Sequence, residues 1–375
     1  MISFNVPYVP EISKQYVFEV LESNHQQGDG PFTAKSSKMV SELVGGGHVL
    51  LTPSCTHALE MASMLANLGS GDEVILPSYT FTSAATAVTK FGATPVFVDI
   101  EMETKGIDVN QVREAITSKT KAISWVNYAG VAPDIEGLQS LAKEFGLFLI
   151  EDNAHGLGGT YKGKPLGSFG DFATQSFHAT KNIQCGEGGA LVINNTNFIE
   201  RAEIIREKGT DRSKFIRGEV QKYQWVDRGS SYLLAETLAA VLLGQLEHFD
   251  EIQGRRKYIF NTYSEKLTSW SEARNYKLHY TRNNGSHSSH MFYLVSDTQK
   301  ARDNLIKRLE CLGVQTMFHY QSLGHSKQGI KLKIDATKLV NSQNMSNLLL
   351  RLPLYYDLSI EDMYYLIDCI LNFDE

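Results

Sequence analysis

The chain has 375 residues, of which 42% are hydrophobic and 21% charged, and its formal net charge is −6. This length allows two domains and a sizeable core, and the composition is typical of a globular protein. The slight acidity favours neither nucleic acid nor an anionic membrane as a partner. No stretch reaches about 18 uninterrupted apolar residues, so no membrane-spanning helix is expected.

The first residues and the cysteines narrow the class further. The start of the chain has neither a basic segment nor an apolar leader, so we expect a cytoplasmic protein. Four widely spaced cysteines and eleven histidines show no metal-ligand spacing. We therefore predict neither a metal site nor a disulfide framework.

Short apolar runs alternate with amphipathic segments through the first half of the chain. Two helices are predicted first, over 11–23 and 33–44, with a Gly-Asp-Gly-Pro turn between them. Strands are then predicted at 48–51, 73–76, 95–100, 121–127, 147–151, 172–177 and 190–194. The helices between them are predicted at 56–68, 82–91, 109–115, 135–144 and 198–208. This alternation predicts an α/β fold with a mainly parallel, helix-covered sheet.

The pattern changes after residue 209. Residues 209–231 are polar, charged and aromatic, which predicts a long loop, and 271–289 reads as a surface connection. The other predicted elements are helices at 232–249, 251–270, 300–312 and 361–371, and strands at 290–295 and 314–319. We predict a large α/β domain over 1–245 and a smaller C-terminal α+β domain over 246–375.

The segment 172–190 carries the strongest chemical signal. Lys181 lies between the apolar run 172–177 and a Gly-Glu-Gly-Gly turn that leads into the next predicted strand. A lysine between two buried strands is partly desolvated, which lowers its pKa and makes the amine a nucleophile. Such an amine suits covalent attachment of pyridoxal phosphate (PLP), although a solvated loop lysine is the alternative.

The turn after the first predicted strand reads Thr-Pro-Ser-Cys-Thr-His. Ser54 or Thr56 can cap the helix that follows, and the free N–H groups of its first turn form a natural phosphate site. A capped helix without a ligand is the alternative. No Gly-x-Gly-x-x-Gly and no Gly-Lys-Ser/Thr motif occurs there, so a dinucleotide or P-loop site is poorly supported.

Two more strand ends carry candidate residues. Phe81 would lie at the carboxyl edge of the sheet, where an aromatic ring can stack on a flat cofactor, or else it is a core residue. Glu151 and Asp152 end the strand at 147–151. A carboxylate beneath a pyridine nitrogen keeps that nitrogen protonated, and His155 could contact the ring oxygen. Metal ligation and helix capping are the alternatives for these acids.

These motifs occur in one order: the phosphate turn, the aromatic residue, Asp-x-x-His, and Ser-Phe-His-x-Thr-Lys-Asn followed by Gly-Glu-Gly-Gly. That order resembles the sugar aminotransferases of the fold-type I PLP superfamily, the DegT/DnrJ type. The resemblance extends over essentially the whole chain, including Glu-Ile-Ile-Arg-Glu-Lys-Gly-Thr at 203–210 and Arg-Leu-Pro-Leu-Tyr at 351–355.

The resemblance implies a homodimer whose active sites lie at the subunit interface. It also implies amino transfer from L-glutamate to a nucleotide-linked 4-keto-6-deoxyhexose. The product would be a 4-amino-4,6-dideoxy sugar for a surface glycan such as a lipopolysaccharide O-antigen.

The resemblance also implies roles for individual residues. Lys181 would bind the cofactor covalently, Asp152 would pair with its ring nitrogen, and His155 would contact its ring oxygen. Phe81 matches the stacking ring. The phosphate ligands would be Thr56, the amide of His57, Ser176 and, reaching the cofactor of the other subunit, Ser231. The candidates for substrate binding are Gly30, Pro31, His319 and Tyr320.

The chain departs from the common family pattern at three positions. Ser231 and Leu233 stand where many members have asparagine and arginine, and Asn127 stands where a histidine commonly precedes Tyr-x-Gly. We expect the neutral amide of Asn127 to be able to contact a sugar hydroxyl, which leaves a 3-keto sugar transaminase as an alternative.

Two other classes remain as alternatives. A PLP-dependent sugar dehydratase would carry a histidine in place of Lys181. A non-catalytic sensor would have no reason to keep the lysine, the acid and the phosphate turn together.

Overall fold

The computed structural model describes residues 1–280 and 285–373, which form one seven-stranded sheet and two three-stranded sheets among helices. The strands are β1 (His48–Thr52), β2 (Glu73–Pro77), β3 (Thr94–Val98), β4 (Thr120–Val126), β5 (Phe148–Asp152), β6 (Thr160–Tyr161), β7 (Lys164–Pro165), β8 (Phe172–Ser176), β9 (Gly189–Ile193), β10 (Gly285–Ser286), β11 (Phe292–Val295), β12 (Met317–Phe318) and β13 (Leu349–Leu352). The α-helices are α1 (Glu11–Glu22), α2 (Pro31–Leu43), α3 (Cys55–Leu65), α4 (Thr82–Thr89), α5 (Val109–Ala115), α6 (Ile135–Phe145), α7 (Ile199–Arg206), α8 (Arg212–Ile216), α9 (Glu236–Glu247), α10 (Phe249–Ala273), α11 (Gln299–Cys311), α12 (Lys327–Lys331), α13 (Val340–Leu348) and α14 (Ile360–Leu371).

The large sheet has the strand order β1-β9-β8-β5-β4-β2-β3. Strand β9 is antiparallel to both of its neighbours, and all the other pairs are parallel. The predicted mainly parallel, helix-covered sheet is therefore confirmed. Each of its strands begins and ends within two residues of the prediction, because buried parallel strands read as apolar runs.

The directions of the strands determine at which edge of the sheet a ligand site can form. Strands β1, β2, β5 and β8 all run the same way, so their carboxyl ends meet at one edge of the sheet. Ligands of open α/β sheets bind outside this edge. Four of the segments predicted to carry cofactor ligands lie at the carboxyl ends of these four strands, and the fifth, with Ser231, lies elsewhere in the chain.

The C-terminal part builds a second core around the sheet β11-β13-β12. Helices α10, α11 and α14 pack on this sheet through apolar side chains such as Leu267, Leu305 and Leu366. Ile2 joins the same core and forms a parallel bridge with Val314, so the first residues pack with the last part of the chain. The domain boundary at residue 245 stays a prediction.

Several details differ from the expected pattern, and the elements β6, β7, β10, α12 and α13 were not predicted. The strand expected at 314–319 is only β12, and β13 was not predicted because its apolar run is short and precedes a proline. The loop at 209–231 contains the short helix α8. Within the span 271–289, Ser288 and Ser289 are buried rather than on the surface, and 281–284 lie outside the described residues.

Among the residues that the structure describes, no helix combines the length and the apolar character needed to cross a membrane.

Candidate active site

Lys181 lies in the turn between β8 and β9, at the carboxyl edge of the large sheet. Its backbone N–H donates to the carbonyl oxygen of His178 at 2.8 Å, which fixes the turn. Its Nζ forms no hydrogen bond or ion pair with any residue in the described part of the chain. Burial lowers the pKa of this amine to about 8, against the opposing influence of Cys55 and Asp152. The lysine is thus an unpaired amine that loses its proton at a lower pH than a solvated lysine does.

The two acids at the end of β5 have different tasks, because neighbouring residues of a strand face opposite sides of the sheet. Glu151 is fully buried and accepts hydrogen bonds from the backbone N–H groups of Gly167 at 2.7 Å and Phe169 at 2.9 Å. It therefore anchors the loop before β8. Asp152 faces the other side, where it accepts from the N–H of Ala154 at 3.1 Å.

Asp152 forms no ion pair with any residue that the structure describes. Burial raises its pKa, and the thiol of Cys55 lies 3.9 Å from Oδ1. A protonated pyridine nitrogen would supply a positive charge to this buried carboxylate and would favour its ionised form.

The phosphate turn is the start of α3. Ser54 caps this helix by accepting the N–H of His57 at 3.2 Å, and the role of the His57 amide as a phosphate ligand stays a prediction. The first-turn amides of Cys55 and Thr56 remain the donors without an intrahelical partner. The Thr56 hydroxyl lies 2.7 Å from that of Ser83.

Close packing of the sheet against α3 depends on one glycine. A Cβ at Gly189, the first residue of β9, would lie 2.4 Å from the backbone nitrogen of Cys55, so only glycine fits there. Gly189 pairs with Thr52 of β1 on one side and with Ser176 of β8 on the other. Ser176 thereby comes close to the first turn of α3.

Phe81 precedes α4 at the same edge, and the residue is 54% exposed. An exposed ring at this position can cover one face of a flat ligand. The alternative of a core phenylalanine is therefore wrong.

Other predicted residues do not join this site through any contact between described residues. Ser231 is exposed and forms a backbone bridge with Glu207. Gly30 and Pro31 begin α2, where the buried carboxylate of Glu236 accepts the N–H groups of Gly30 and Thr33 at 3.0 Å each.

A cluster of imidazole and phenol rings borders the site. The hydroxyl of Tyr320 lies 3.1 Å from Nε2 of His155, and His319 stacks on Tyr320 with ring centroids 3.6 Å apart. The sequence analysis missed His290, which stacks on His155 at 4.5 Å, and Tyr128, whose hydroxyl lies 2.7 Å from Nδ1 of His319. Tyr128 follows β4 at the carboxyl edge, the same signal that singled out Phe81.

Arg351, on β13, was also missed as a site residue. Its guanidinium lies 4.6 Å above the ring of Phe4, and its Nε is buried without a hydrogen-bond partner. Within the described chain it forms no ion pair. Its charge helps to lower the pKa values of Lys181 and His155. A largely desolvated cation of this kind calls for an anionic ligand.

Asn127 is not available to a sugar, contrary to expectation. It is fully buried, its Nδ2 donates to Glu151 and Asn153 at 2.8 Å each, and its Oδ1 accepts from Trp125 at 3.1 Å. These bonds use both donor protons of the amide. Asn127 therefore supports the loop around Glu151.

The residues at this edge fit PLP on four counts. They offer an unpaired amine of lowered pKa, a buried carboxyl group without a cation, an exposed ring, and a helix N-terminus for the phosphate. The fold is that of the fold-type I PLP-dependent aminotransferases, and the residues at this edge suit the same cofactor.

Comparison with known proteins gives the family. The model of the DegT/DnrJ/EryC1/StrS aminotransferase family matches residues 8–371, and the chain belongs to this family. The aminotransferase TlmJ from Streptoalloteichus hindustanus is 27% identical, with a TM-score of 0.90 over 99% of this chain and 98% of that chain. The putative sugar aminotransferase Spr1654 from Streptococcus pneumoniae, in its PMP form, is 28% identical, with a TM-score of 0.90 and the same coverage. DesI, solved in the presence of its TDP-sugar product, is 26% identical, with a TM-score of 0.87 over 97% of this chain and 90% of that chain.

Proposed function

We propose that this aminotransferase transfers the amino group of L-glutamate to C4 of a nucleotide-linked 4-keto-6-deoxyhexose, with dTDP-4-keto-6-deoxyglucose as the acceptor. The proposal depends mainly on one observation: the unpaired amine of Lys181 and the buried carboxyl group of Asp152 lie at the same edge of the sheet. The product would be a 4-amino-4,6-dideoxy sugar for lipopolysaccharide O-antigen or a related surface glycan.

Sequence motifs support this choice of acceptor. Gly-Ser-Ser-Tyr-Leu at 229–233 and His-Met-Phe-Tyr at 290–293 resemble dTDP-4-amino-4,6-dideoxygalactose transaminase. The presence of a TDP-sugar product in the DesI structure supports the same class of ligand. A 3-keto nucleotide sugar is the competing acceptor, and the sugar dehydratase is disfavoured because Lys181 is a lysine.

The residues of the site would have separate roles in the reaction. When bound, PLP takes up the amino group of the donor and passes it to the keto acceptor. Lys181 attaches the cofactor and, once released, takes up and returns a proton at Nζ, for which a pKa of about 8 is well suited. Asp152 would hold a positive charge at the ring nitrogen of the cofactor, and Phe81 would cover one face of its ring. The amides at the start of α3 bind the phosphate.

Arg351 supports an anionic donor. Glutamate brings two carboxylates, and a guanidinium binds a carboxylate through paired hydrogen bonds. We therefore propose that Arg351 binds the α-carboxylate of glutamate, since the described residues supply this cation with no acid of their own.

The function is tested by offering dTDP-4-keto-6-deoxyglucose and its 3-keto isomer in parallel with glutamate. We expect faster turnover of the 4-keto sugar, with nitrogen found on C4 by NMR. The two reactions differ by about one carbon–carbon bond in the position of the sugar, and displacements of about 1 Å can cost 10²-fold in rate. Faster turnover of the 3-keto isomer, with nitrogen on C3, would overturn the regiochemistry.

The role of Arg351 is tested with a second amino donor. Glutamate α-amide should react more slowly than glutamate, and equal rates for the two donors would contradict the role given to Arg351.

We also propose a homodimer with shared sites. The segment 209–231 exposes apolar rings, with Trp225 79% accessible and Tyr223 half exposed, and Ser231 ends the same segment. Exposed aromatic groups of this kind are enriched at subunit interfaces. Ser231 would reach the phosphate bound by the partner subunit.

Shared sites predict complementation between inactive subunits. Co-expression of Lys181→Ala with Ser231→Glu should restore about a quarter of the wild-type activity, because half of the dimers are hybrids and each hybrid keeps one intact site. The matched control pairs Lys181→Ala with Asp152→Asn. These two changes affect groups of the same subunit's site, so no activity should return. Equal activity in the two mixtures, or a fully active monomer by light scattering, would contradict the shared site.

A further inference from the structure

The side chain of Arg351 points away from the C-terminal core. It lies on the middle strand of the sheet β11-β13-β12, between Leu350 and Leu352, which are both buried in that core. Neighbouring residues of a strand point to opposite faces of a sheet, so the guanidinium lies on the other face. There it lies over the ring of Phe4, with its central carbon 4.6 Å from the ring centroid.

Hydrogen bonds to the C-terminal part of the chain hold Phe4 from one side. The backbone N–H of Ile2 donates to the carbonyl oxygen of Gly313 at 2.7 Å, and the carbonyl oxygen of Ile2 accepts from the N–H of Gln315 at 3.0 Å. The N–H of Phe4 donates to the side-chain oxygen of the same Gln315 at 3.2 Å. The position of the ring is therefore fixed relative to the sheet that carries Arg351.

A further hydrogen bond holds Phe4 from the other side. Nδ2 of Asn5 donates to the carbonyl oxygen of Ala179 at 3.2 Å, two residues before Lys181. We call residues 2–8 the strap. The strap thus connects the sheet that carries Arg351 with the turn that carries Lys181, and Phe4 lies between these two attachments.

A ring stacked on a guanidinium fixes the plane in which that group can bind an anion. Paired hydrogen bonds to a carboxylate need two N–H groups that lie in one plane and point at the two oxygens. Arginine has several rotatable bonds, so ordering its side chain costs conformational entropy. Stacking on an aromatic face orders the guanidinium before a ligand arrives and leaves the N–H groups at its edge free to donate. Among the described residues no acid pairs with Arg351, so the ring of Phe4 supplies this ordering.

We propose that Phe4 is a positioning residue for the amino donor, which holds the guanidinium of Arg351 in the plane that binds the α-carboxylate of glutamate. The inference rests on the proposed function, in which Arg351 binds that carboxylate. The acceptor sugar brings no carboxylate, so its reaction does not depend on this contact. Phe4 therefore affects the choice of donor and not the choice of acceptor.

The test compares two donors in one half-reaction, followed through the absorbance of the cofactor. Phe4→Leu keeps an apolar side chain and removes the aromatic face. Its PLP form should react about 3- to 10-fold more slowly than the wild type with glutamate, and within about twofold of the wild type with glutamate α-amide, which lacks the α-carboxylate. Phe4→Tyr keeps the aromatic face and should retain the wild-type preference for glutamate. Calorimetry with 2-oxoglutarate, which brings the same carboxylates without an amine, should show weaker binding to Phe4→Leu by a similar factor.

Tyr8→Leu is the matched control. It removes an aromatic ring from the same strap, but this ring stacks on Tyr356, with centroids 4.0 Å apart. The ratio of the rates with the two donors should therefore stay at the wild-type value. An unchanged ratio in Phe4→Leu, or an equal loss with both donors, would overturn the role of Phe4.

The same measurements distinguish this failure from failures of the proposed function. A wild-type enzyme that reacts equally with the two donors would overturn the role of Arg351, and that of Phe4 with it. A wild-type enzyme that prefers glutamate but reacts with no nucleotide keto sugar would overturn the proposed acceptor alone, and the comparison of donors would still decide the role of Phe4.

Discussion

Replacing Lys181 with alanine should lower turnover by roughly 10³-fold or more, because the change removes both the nucleophile and the proton carrier. The measurement is single-turnover amino transfer from glutamate to the keto sugar. Near-normal turnover in Lys181→Ala would rule out the mechanism. Loss of bound cofactor is not the criterion, since the phosphate turn and Asp152 remain in the variant.

A second measurement on Lys181 does not depend on turnover. Attachment of PLP requires the uncharged amine, so the rate at which the cofactor-free protein takes up PLP should rise with pH and level off above about 8. The direction follows from burial, which disfavours the charged ammonium. An uptake rate that still rises steeply above pH 10, as for a solvated lysine, would show that the amine is not desolvated.

Asp152→Asn should lower kcat by about 10²-fold or more, because a neutral amide no longer holds a charge at the ring nitrogen in a site screened from water. The fold should survive, since the substituted side chain has the same size and accepts the same N–H of Ala154. The measurement is kcat together with the absorbance spectrum of the bound cofactor, which should shift with the loss of the ring proton.

The neighbouring acid provides the control for Asp152. Glu151→Gln should lower the melting temperature, because Glu151 accepts the N–H groups of Gly167 and Phe169 inside the protein. It should leave the cofactor spectrum unchanged. The assignment fails if Asp152→Asn keeps the wild-type kcat while Glu151→Gln shifts the spectrum.

The sequence was sufficient for most of the sheet and for the main chemical residues. Buried strands have a local signal, and Lys181 and Asp152 each follow such a strand, so their meeting follows from the shared strand direction. Tyr320 was proposed for the substrate on a family resemblance, and the structure gives it a hydrogen bond to His155. The roles of these residues in catalysis stay predictions.

Other features required coordinates because they depend on partners far apart in the chain. The sequence around Arg351 does not distinguish it from other arginines. The structure shows that β13 places its charge near Lys181, and that no acid among the described residues pairs with it. The expected freedom of Asn127 was wrong because its two donor bonds go to residues more than 20 positions later. No local sequence pattern indicates hydrogen bonds or charge contacts between residues so far apart in the chain.

The antiparallel strand β9 has a consequence for how the protein is made. Among the described strands, β1 pairs only with β9, in a register that joins His48 to Ile193. During synthesis, β1 therefore cannot pair in the sheet until β9 has emerged from the ribosome, and the start of α3 cannot be positioned before then. Contacts between such distant segments form slowly, because the loop between them must close first. The phosphate turn is thus completed late, and a nascent chain that ends before residue 189 cannot yet hold the cofactor in place.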